Sequence, residues 1–341
     1  MRRSVIAFLV INAVILVFLI HSVFTLLELL IEDGSADALS RAELPALDST
    51  VPDLRPALIP KIVHQTWKNE TIPEIWRKPR QDCIDIHPDY EYKLWTDASS
   101  LDFIEKEFPW FVKTFRGYGH PIQRADAIRY FVLAKYGGIY IDLDDGCNRP
   151  LDPLLIYPAF LHRTIPTGIS NDVMGSIPEH PFFLRVINSL EYYDRNWILP
   201  YITVMYSTGP LFLSVIWKQY INVAGNSGDA AGLQRVRVLS RADYADYDWS
   251  FFKVVKGSSW HEDDAGLIFW MGSHWVFLTA VGFLIAGVVG FVSWWAYRKI
   301  FMRGQQRPGR ISMRKDWNTP WKWGWRSKPE YELVDRHDHD V

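Results

Sequence analysis

Hydrophobic positions follow two regimes along this chain. Val5 to Ile20 is apolar apart from Asn12 and continues through His21 and Glu28 to Ile31, and Trp275 to Tyr297 holds no ionisable residue except its terminal tyrosine. Between these runs the pattern alternates as in a globular domain. As helices rising about 1.5 Å per residue, both runs can cross a hydrocarbon core of roughly 30 Å. The first reads as a signal anchor over 5–31, its apolar run being longer than the core of a cleaved signal peptide. Ala36-Asp37-Ala38 resembles a cleavage site and keeps that alternative open. The second run, 275–297, is flanked by Trp270 and Trp275 before it and by Trp294, Trp295 and Tyr297 at its end. Such rings favour the headgroup layers.

Within 59–270 the periodicities predict an α/β domain. Lys61-Ile62-Val63-His64 is a short strand candidate, and Tyr90 to Trp95 alternates as half-buried strands do. Asp97 to Phe108 reads as helical. From Pro121 to Tyr136, Ile122, Ala125, Ile128, Val132 and Leu133 recur at helical spacing, and Gly137-Gly138 ends the run. Ile139-Tyr140-Ile141 is then a strand. Strands separated by helices indicate a mainly parallel sheet, whose ligands gather at the C-terminal strand ends. Residues 32–58, with Pro45, Pro52 and Pro56, read as a stem.

Charge orients the two spans. Arg2 and Arg3 precede the first, and Arg298, Lys299, Arg303 and Arg307 follow the second; Glu28, Glu32 and Asp33 and then Glu262, Asp263 and Asp264 lie on the opposite flanks. The positive-inside rule therefore places 1–4 and 298–341 in the cytosol and the intervening domain in a lumen. The tail adds Trp317, Trp321, Trp323 and Trp325 to its basic residues, which suits an anionic leaflet. With 37 basic and 39 acidic residues in 341, the chain lacks the basic surplus that nucleic acid demands. Two cysteines are too few for a disulfide scaffold or a structural zinc site. In an oxidising lumen Cys83 and Cys147 either bridge or lie as two separately buried thiols. Asn69-Glu70-Thr71 is a glycosylation sequon there.

Candidate chemistry sits after the last strand, in Asp142-Leu143-Asp144-Asp145-Gly146. Two carboxylates leaving a buried strand can hold a divalent cation and leave positions for phosphate oxygens. Of three Asp-x-Asp triplets in the chain, those at 246 and 338 follow no hydrophobic strand. A solvated acidic turn is the plain alternative. Asp126 and Arg129 share a helical face, so they either approach the same ligand or form an ordinary surface salt bridge.

Ile59-Pro60-Lys61-Ile62-Val63-His64-Gln65-Thr66-Trp67, Gln123-Arg124-Ala125-Asp126-Ala127-Ile128-Arg129-Tyr130 and Tyr136-Gly137-Gly138-Ile139-Tyr140-Ile141-Asp142-Leu143-Asp144 together resemble the sugar-transferase family with an Asp-x-Asp motif, family 32 of the glycosyltransferases. Ser207-Thr208-Gly209-Pro210, Gly257-Ser258-Ser259-Trp260-His261 and the C-terminal span are similar to its fungal members that mannosylate inositol phosphoceramide. The resemblance implies a GT-A fold with a Rossmann-type mixed sheet and transfer with retention of configuration. It implies GDP-mannose as donor, Mn²⁺ or Mg²⁺, inositol phosphoceramide as acceptor, a Golgi membrane and a regulatory membrane subunit. Asp142 and Asp144 match the metal and diphosphate motif, Asp126 and Arg129 the contacts to donor sugar and ribose, Trp67 the nucleobase stack, and His261 a late metal or diphosphate histidine. Two other readings stay open: a haloacid-dehalogenase-like phosphatase, and a noncatalytic membrane scaffold. An N-glycan mannosyltransferase of the same family is a third.

Overall fold

A computed structural model describes residues 37–45, 55–164, 167–197, 199–225, 232, 234–245, 247–255 and 263–302, with isolated positions between 10 and 29. Two compact units divide the chain at 273 and 274.

In the first unit the elements run β1 (Ile62–Thr66), α1 (Glu74–Ile86), β2 (Glu91–Trp95), α2 (Asp97–Glu107), α3 (Val112–Gly117), α4 (Pro121–Tyr136) and β3 (Gly138–Ile141). They continue through β4 (Asp145–Cys147), β5 (Ala159–Arg163), β6 (Ile169–Ser176), α5 (Pro181–Tyr193), α6 (Pro200–Ser207), α7 (Pro210–Gly225), β7 (Val236–Leu239), α8 (Arg241–Tyr244), β8 (Phe252–Val254) and α9 (Asp263–Ser273). Each expected strand and helix between 59 and 141 is present, with ends shifted by one or two residues. Six strands form one sheet in the order β2, β1, β3, β6, β5, β7. β6 alone runs against the others, pairing antiparallel with both β3 and β5. The sheet is thus mixed and mostly parallel. β4 and β8 make a separate two-stranded ribbon.

Both faces of the sheet are covered, which is why β3 is a continuous buried run rather than an alternating one. Tyr140, Leu161 and Met174 face a core filled by α4, α5 and α7, including Phe131, Phe182 and Trp217. Ile139, Ile141 and Val173 face the other core, with Cys83, Leu154 and Phe252. Gly137 and Gly138 have φ of 65° and 90°. A Cβ at Gly138 would lie 2.6 Å from the Ile62 carbonyl oxygen, so this pair both ends α4 and lets β3 approach β1.

The cysteine alternatives resolve as a bridge: Cys83 of α1 is bonded to Cys147 of β4 across 64 residues. In the chain-entropy account such a loop contributes about 4 kcal/mol. Part of the expected stem is also packed. Ala38 forms a parallel bridge to Val238, Leu39 and Leu44 are buried, and Arg237 pairs with Glu43 at 2.7 Å. The cause is the open edge of β7, whose backbone groups the segment satisfies.

The second unit, described over 274–302, is the helix α10 (Trp275–Met302). Its Trp275–Ala296 stretch is long and apolar enough to cross a membrane and is unburied. Two spans were expected; among the described residues this is the one that qualifies. The other segment, 5–31, falls mostly outside them, and its Leu29 is buried in the first unit's core with its carbonyl accepting from Thr167 at 2.5 Å. The tail beyond 302, with its tryptophans, lies outside the described residues.

His64 ties α4's end to β2. Its Nε2 faces the Gly137 carbonyl at 2.9 Å and its Nδ1 accepts from the Trp95 indole at 3.1 Å, which requires a neutral ring. Burial pushes its pKa down from 6.5 to about 4. Protonation therefore favours the unfolded chain, so this stability is complete above about pH 6.5 and is lost as pH falls toward 4, amounting to roughly 3 kcal/mol. Denaturant midpoints measured between pH 7 and 4 should fall less steeply in His64→Gln than in the wild type; parallel profiles would contradict the assignment.

Candidate active site

The C-terminal ends of β1 and β3 open onto a cavity of about 600 Å³, lined also by the first turns of α4. Because β6 is antiparallel, with Val173 opposite Ile141, its early residues Asn171 and Asp172 come alongside β3's exit. The cavity wall thus gathers Trp67, Asp126, Arg129, Asp142, Asp144, Asp145, Asn171 and Asp172. Five of the six candidate residues named from the sequence meet here. The sixth, His261, lies outside the described residues.

Arg129 organises the wall. Buried within α4, its guanidinium pairs with Asp126 at 3.0 Å and Asp142 at 3.2 Å, donates to the Asn171 carbonyl at 2.7 Å, and lies 4.7 Å from the Tyr140 ring centroid. The surface salt bridge considered from helix spacing is instead an interior network joining α4, β3 and β6. Asp126 also accepts from Asn171 at 2.9 Å and from Thr208 at 3.1 Å. Both its oxygens are occupied, and burial pushes its carboxyl up to about 6 against the pull of Arg129. Thr208 is fixed in turn by Tyr130, whose hydroxyl donates to the Thr208 carbonyl at 2.7 Å. The Ser207-Thr208-Gly209-Pro210 turn is thereby tied to α4's polar face, and Gln123 bonds Ser207 at 2.7 Å.

Asp142 is oriented by Arg129 and by the Tyr140 hydroxyl at 2.5 Å, itself 2.8 Å from Thr66. Asp144 has no side-chain hydrogen-bond partner among the described residues. Burial and the charge of Asp142 push its carboxyl up to about 7. Asp145 is likewise driven well above its ordinary value by burial and by its acidic neighbours Asp172, Asp142 and Asp144. Asp172 goes the other way: burial would raise it, but His162 pairs with it and holds it well below the usual carboxylate range. Four carboxylates thus crowd one end of the cavity, with the Arg129 guanidinium close by and His162 hydrogen-bonded to Asp172. That surplus is the fit test for a divalent cation, which supplies the missing positive charge. Among the described residues no three His, Cys, Asp or Glu side chains form a ligand cluster. Asp142 and Asp144 would therefore hold an ion whose remaining positions go to other oxygens.

A strap closes this end. Val255 donates to the Asp144 carbonyl at 2.7 Å, and β8 pairs with β4 so that Val254 lies opposite Asp145. Tyr244 on α8 bridges Asp145 at 2.9 Å and Asp172 at 3.0 Å, and its ring stacks on His162 at 3.7 Å. At the other end Trp67 is half-buried, its indole donating to the Thr71 carbonyl at 3.0 Å, and Trp76 meets it edge-on at 4.9 Å. That contact holds the Trp67 plane.

Sequence reasoning missed Asn171, Asp172, His162, Tyr244 and Trp76. The available signal was Asn171-Asp172 inside an otherwise buried strand, since polar pairs there demand partners.

These features define an acidic, nucleotide-sized cavity at the C-terminal edge of a mixed sheet. Residues 73–161 match the family model described as "Glycosyltransferase sugar-binding region containing DXD motif". The chain is 51% identical over 302 residues to a mannosyl phosphorylinositol ceramide synthase of Saccharomyces cerevisiae, covering 86% of this chain and 79% of that one. It is 51% identical over 233 residues to inositol phosphoceramide mannosyltransferase 3 of Schizosaccharomyces pombe, covering 68% and 64%. The chain belongs to this glycosyltransferase family. Solved structures are distant: the UDP-bound glycosyltransferase domain of the YGT toxin aligns with a TM-score of 0.40 at 8% identity, over 59% of this chain and 84% of that one, too little to inform the site.

Tyr244→Phe leaves Asp145 and Asp172 facing each other without their bridging hydroxyl. Thermal or denaturant unfolding should show a loss of about 1–3 kcal/mol; unchanged stability would mean that the bridge is not formed.

Proposed function

We propose that this chain is a retaining mannosyltransferase that moves mannose from GDP-mannose to inositol phosphoceramide, giving mannosyl inositol phosphoceramide. The observation that carries the transfer chemistry is the surplus of carboxylates, buried or half-buried, at β3's exit, beside a cavity large enough for a nucleotide sugar. The names of the relatives support the acceptor and the sugar. The mixed, mostly parallel sheet is compatible with a GT-A-like catalytic domain over 59–270.

In this reading Asp142 and Asp144 would hold Mn²⁺ or Mg²⁺, with His261 as a further candidate ligand. The ion, when bound, stabilises charge on the departing nucleoside diphosphate. Arg129 keeps Asp142 aimed at that position, while Asp126 with Asn171 and Thr208 presents a fixed polar wall to the sugar and ribose. Trp67, steadied by Trp76, stacks the nucleobase. Such preorganisation costs no rearrangement at the moment of transfer.

The same reading places the enzyme in a Golgi membrane with its catalytic domain lumenal, both termini cytosolic, and a regulatory membrane subunit beside it. A first span ending before Leu29 and a second at 275–297 would tether the chain to the membrane, where a lipid acceptor is concentrated. The tail at 298–341 completes this arrangement on the cytosolic side.

The test is a transfer assay with the full chain in membranes, offering GDP-mannose or UDP-sugars with inositol phosphoceramide. Mannosylated lipid should form from GDP-mannose alone, stop with a chelator and return with Mn²⁺. Asp144→Asn should lower turnover about 100-fold or more, on the scale of removing a principal charge-stabilising group; full turnover would support a scaffold role. Trp67→Ala should weaken donor binding about tenfold, the scale of one base–aromatic stack, as read by nucleotide titration. An unchanged affinity would remove Trp67 from the donor site.

A further inference from the structure

The cavity carries a second, cationic feature that the acidic end does not use. Three basic side chains line it: Lys68, Arg124 and Arg129. Arg129 is committed to Asp126, Asp142 and the Asn171 carbonyl. Arg124, in the first turn of α4, makes one hydrogen bond, from Nη1 to the Tyr118 carbonyl at 3.1 Å, and no ion pair among the described residues. Its side chain is part-buried in the wall. Lys68, just beyond β1, is exposed, with its ammonium 5.7 Å from the Trp67 ring centroid.

An arginine part-buried in a cavity that six aspartates line, yet left without one of its own, is poised for an anion arriving with a ligand. A guanidinium fork suits the paired oxygens of a phosphate ester. In the function proposed above the donor diphosphate would meet a cation held by Asp142 and Asp144, whereas an acceptor phosphodiester entering this acidic cavity would be repelled unless another cationic group received it.

We propose that Arg124, assisted by Lys68, forms a subsite for the phosphodiester of the acceptor, so that the enzyme selects a phosphate-bearing inositol over a neutral one. The proposal rests on the acceptor reading given above and adds the residue that enforces it.

The test uses the full chain in detergent micelles, loaded with nucleoside diphosphate and Mn²⁺, and titrated with glycerophosphoinositol or with myo-inositol. The wild type should bind the phosphodiester at least about tenfold more tightly, the scale of a charge-assisted hydrogen bond. Arg124→Gln should lose that preference and Arg124→Lys should keep most of it. In transfer assays Arg124→Gln should raise the KM for inositol phosphoceramide about tenfold while the KM for the donor holds. Equal binding of both probes by the wild type, or a preference that survives Arg124→Gln, overturns the proposal. So does a rise confined to the donor KM, which would place the guanidinium on the donor diphosphate. A wild type that prefers the phosphodiester but transfers no mannose to inositol phosphoceramide would instead reject the function proposed above and leave the subsite standing.

Discussion

One buried guanidinium sets the geometry on which this active site depends. Arg129 joins α4 to the exit of β3 and to the start of β6, and it does so in the interior, where 3% of the residue is exposed. Burying such a charge is costly unless its donors are met, and here they are met by two carboxylates, two backbone carbonyls and an aromatic face. The arrangement fixes Asp142 and Asp126 together. Removing the arginine would leave the buried Asp126 and the half-buried Asp142 uncompensated, so this contact supports both the fold and the shape of the cavity wall.

Around that contact the structure restrains the acidic loop from three directions. The Cys83–Cys147 bridge anchors its far end to α1, β8 pairs along β4, and Tyr244 spans Asp145 and Asp172 from α8. Lys253 of β8 adds a pair with Asp82 of α1 at 2.6 Å. A loop crowded with like charges would otherwise splay apart. Holding it closed keeps a local deficit of positive charge next to the cavity, and that deficit is what a divalent cation would offset.

Local signals explain what was legible in the sequence. Pro121 and Gly137 bracket α4, and the apolar run of β3 followed by Asp142 is visible because each depends on neighbours in the chain. Long-range pairing is a different matter. That β6 runs antiparallel beside β3 follows from packing across the sheet, so Asn171 and Asp172 could not be placed at the site from their own surroundings. His162 and Tyr244 meet over a separation that no periodicity encodes. The stretch near Ala38 looked like a stem because its prolines and small residues carry no strand pattern; the unsatisfied edge of β7 recruits it. The partner of Cys83 was likewise open until the ribbon of β4 and β8 placed Cys147 against α1.

The account stands on the crowded carboxylates at β3's exit being a cation site. Titrating the full chain with Mn²⁺ in the presence of nucleoside diphosphate, and following the free ion by electron paramagnetic resonance, tests this most directly. One saturable ion per chain, lost when Asp142 and Asp144 are both changed to Asn in a protein that still folds, is the predicted result. No saturable uptake, or uptake that the double substitution leaves intact, would contradict it.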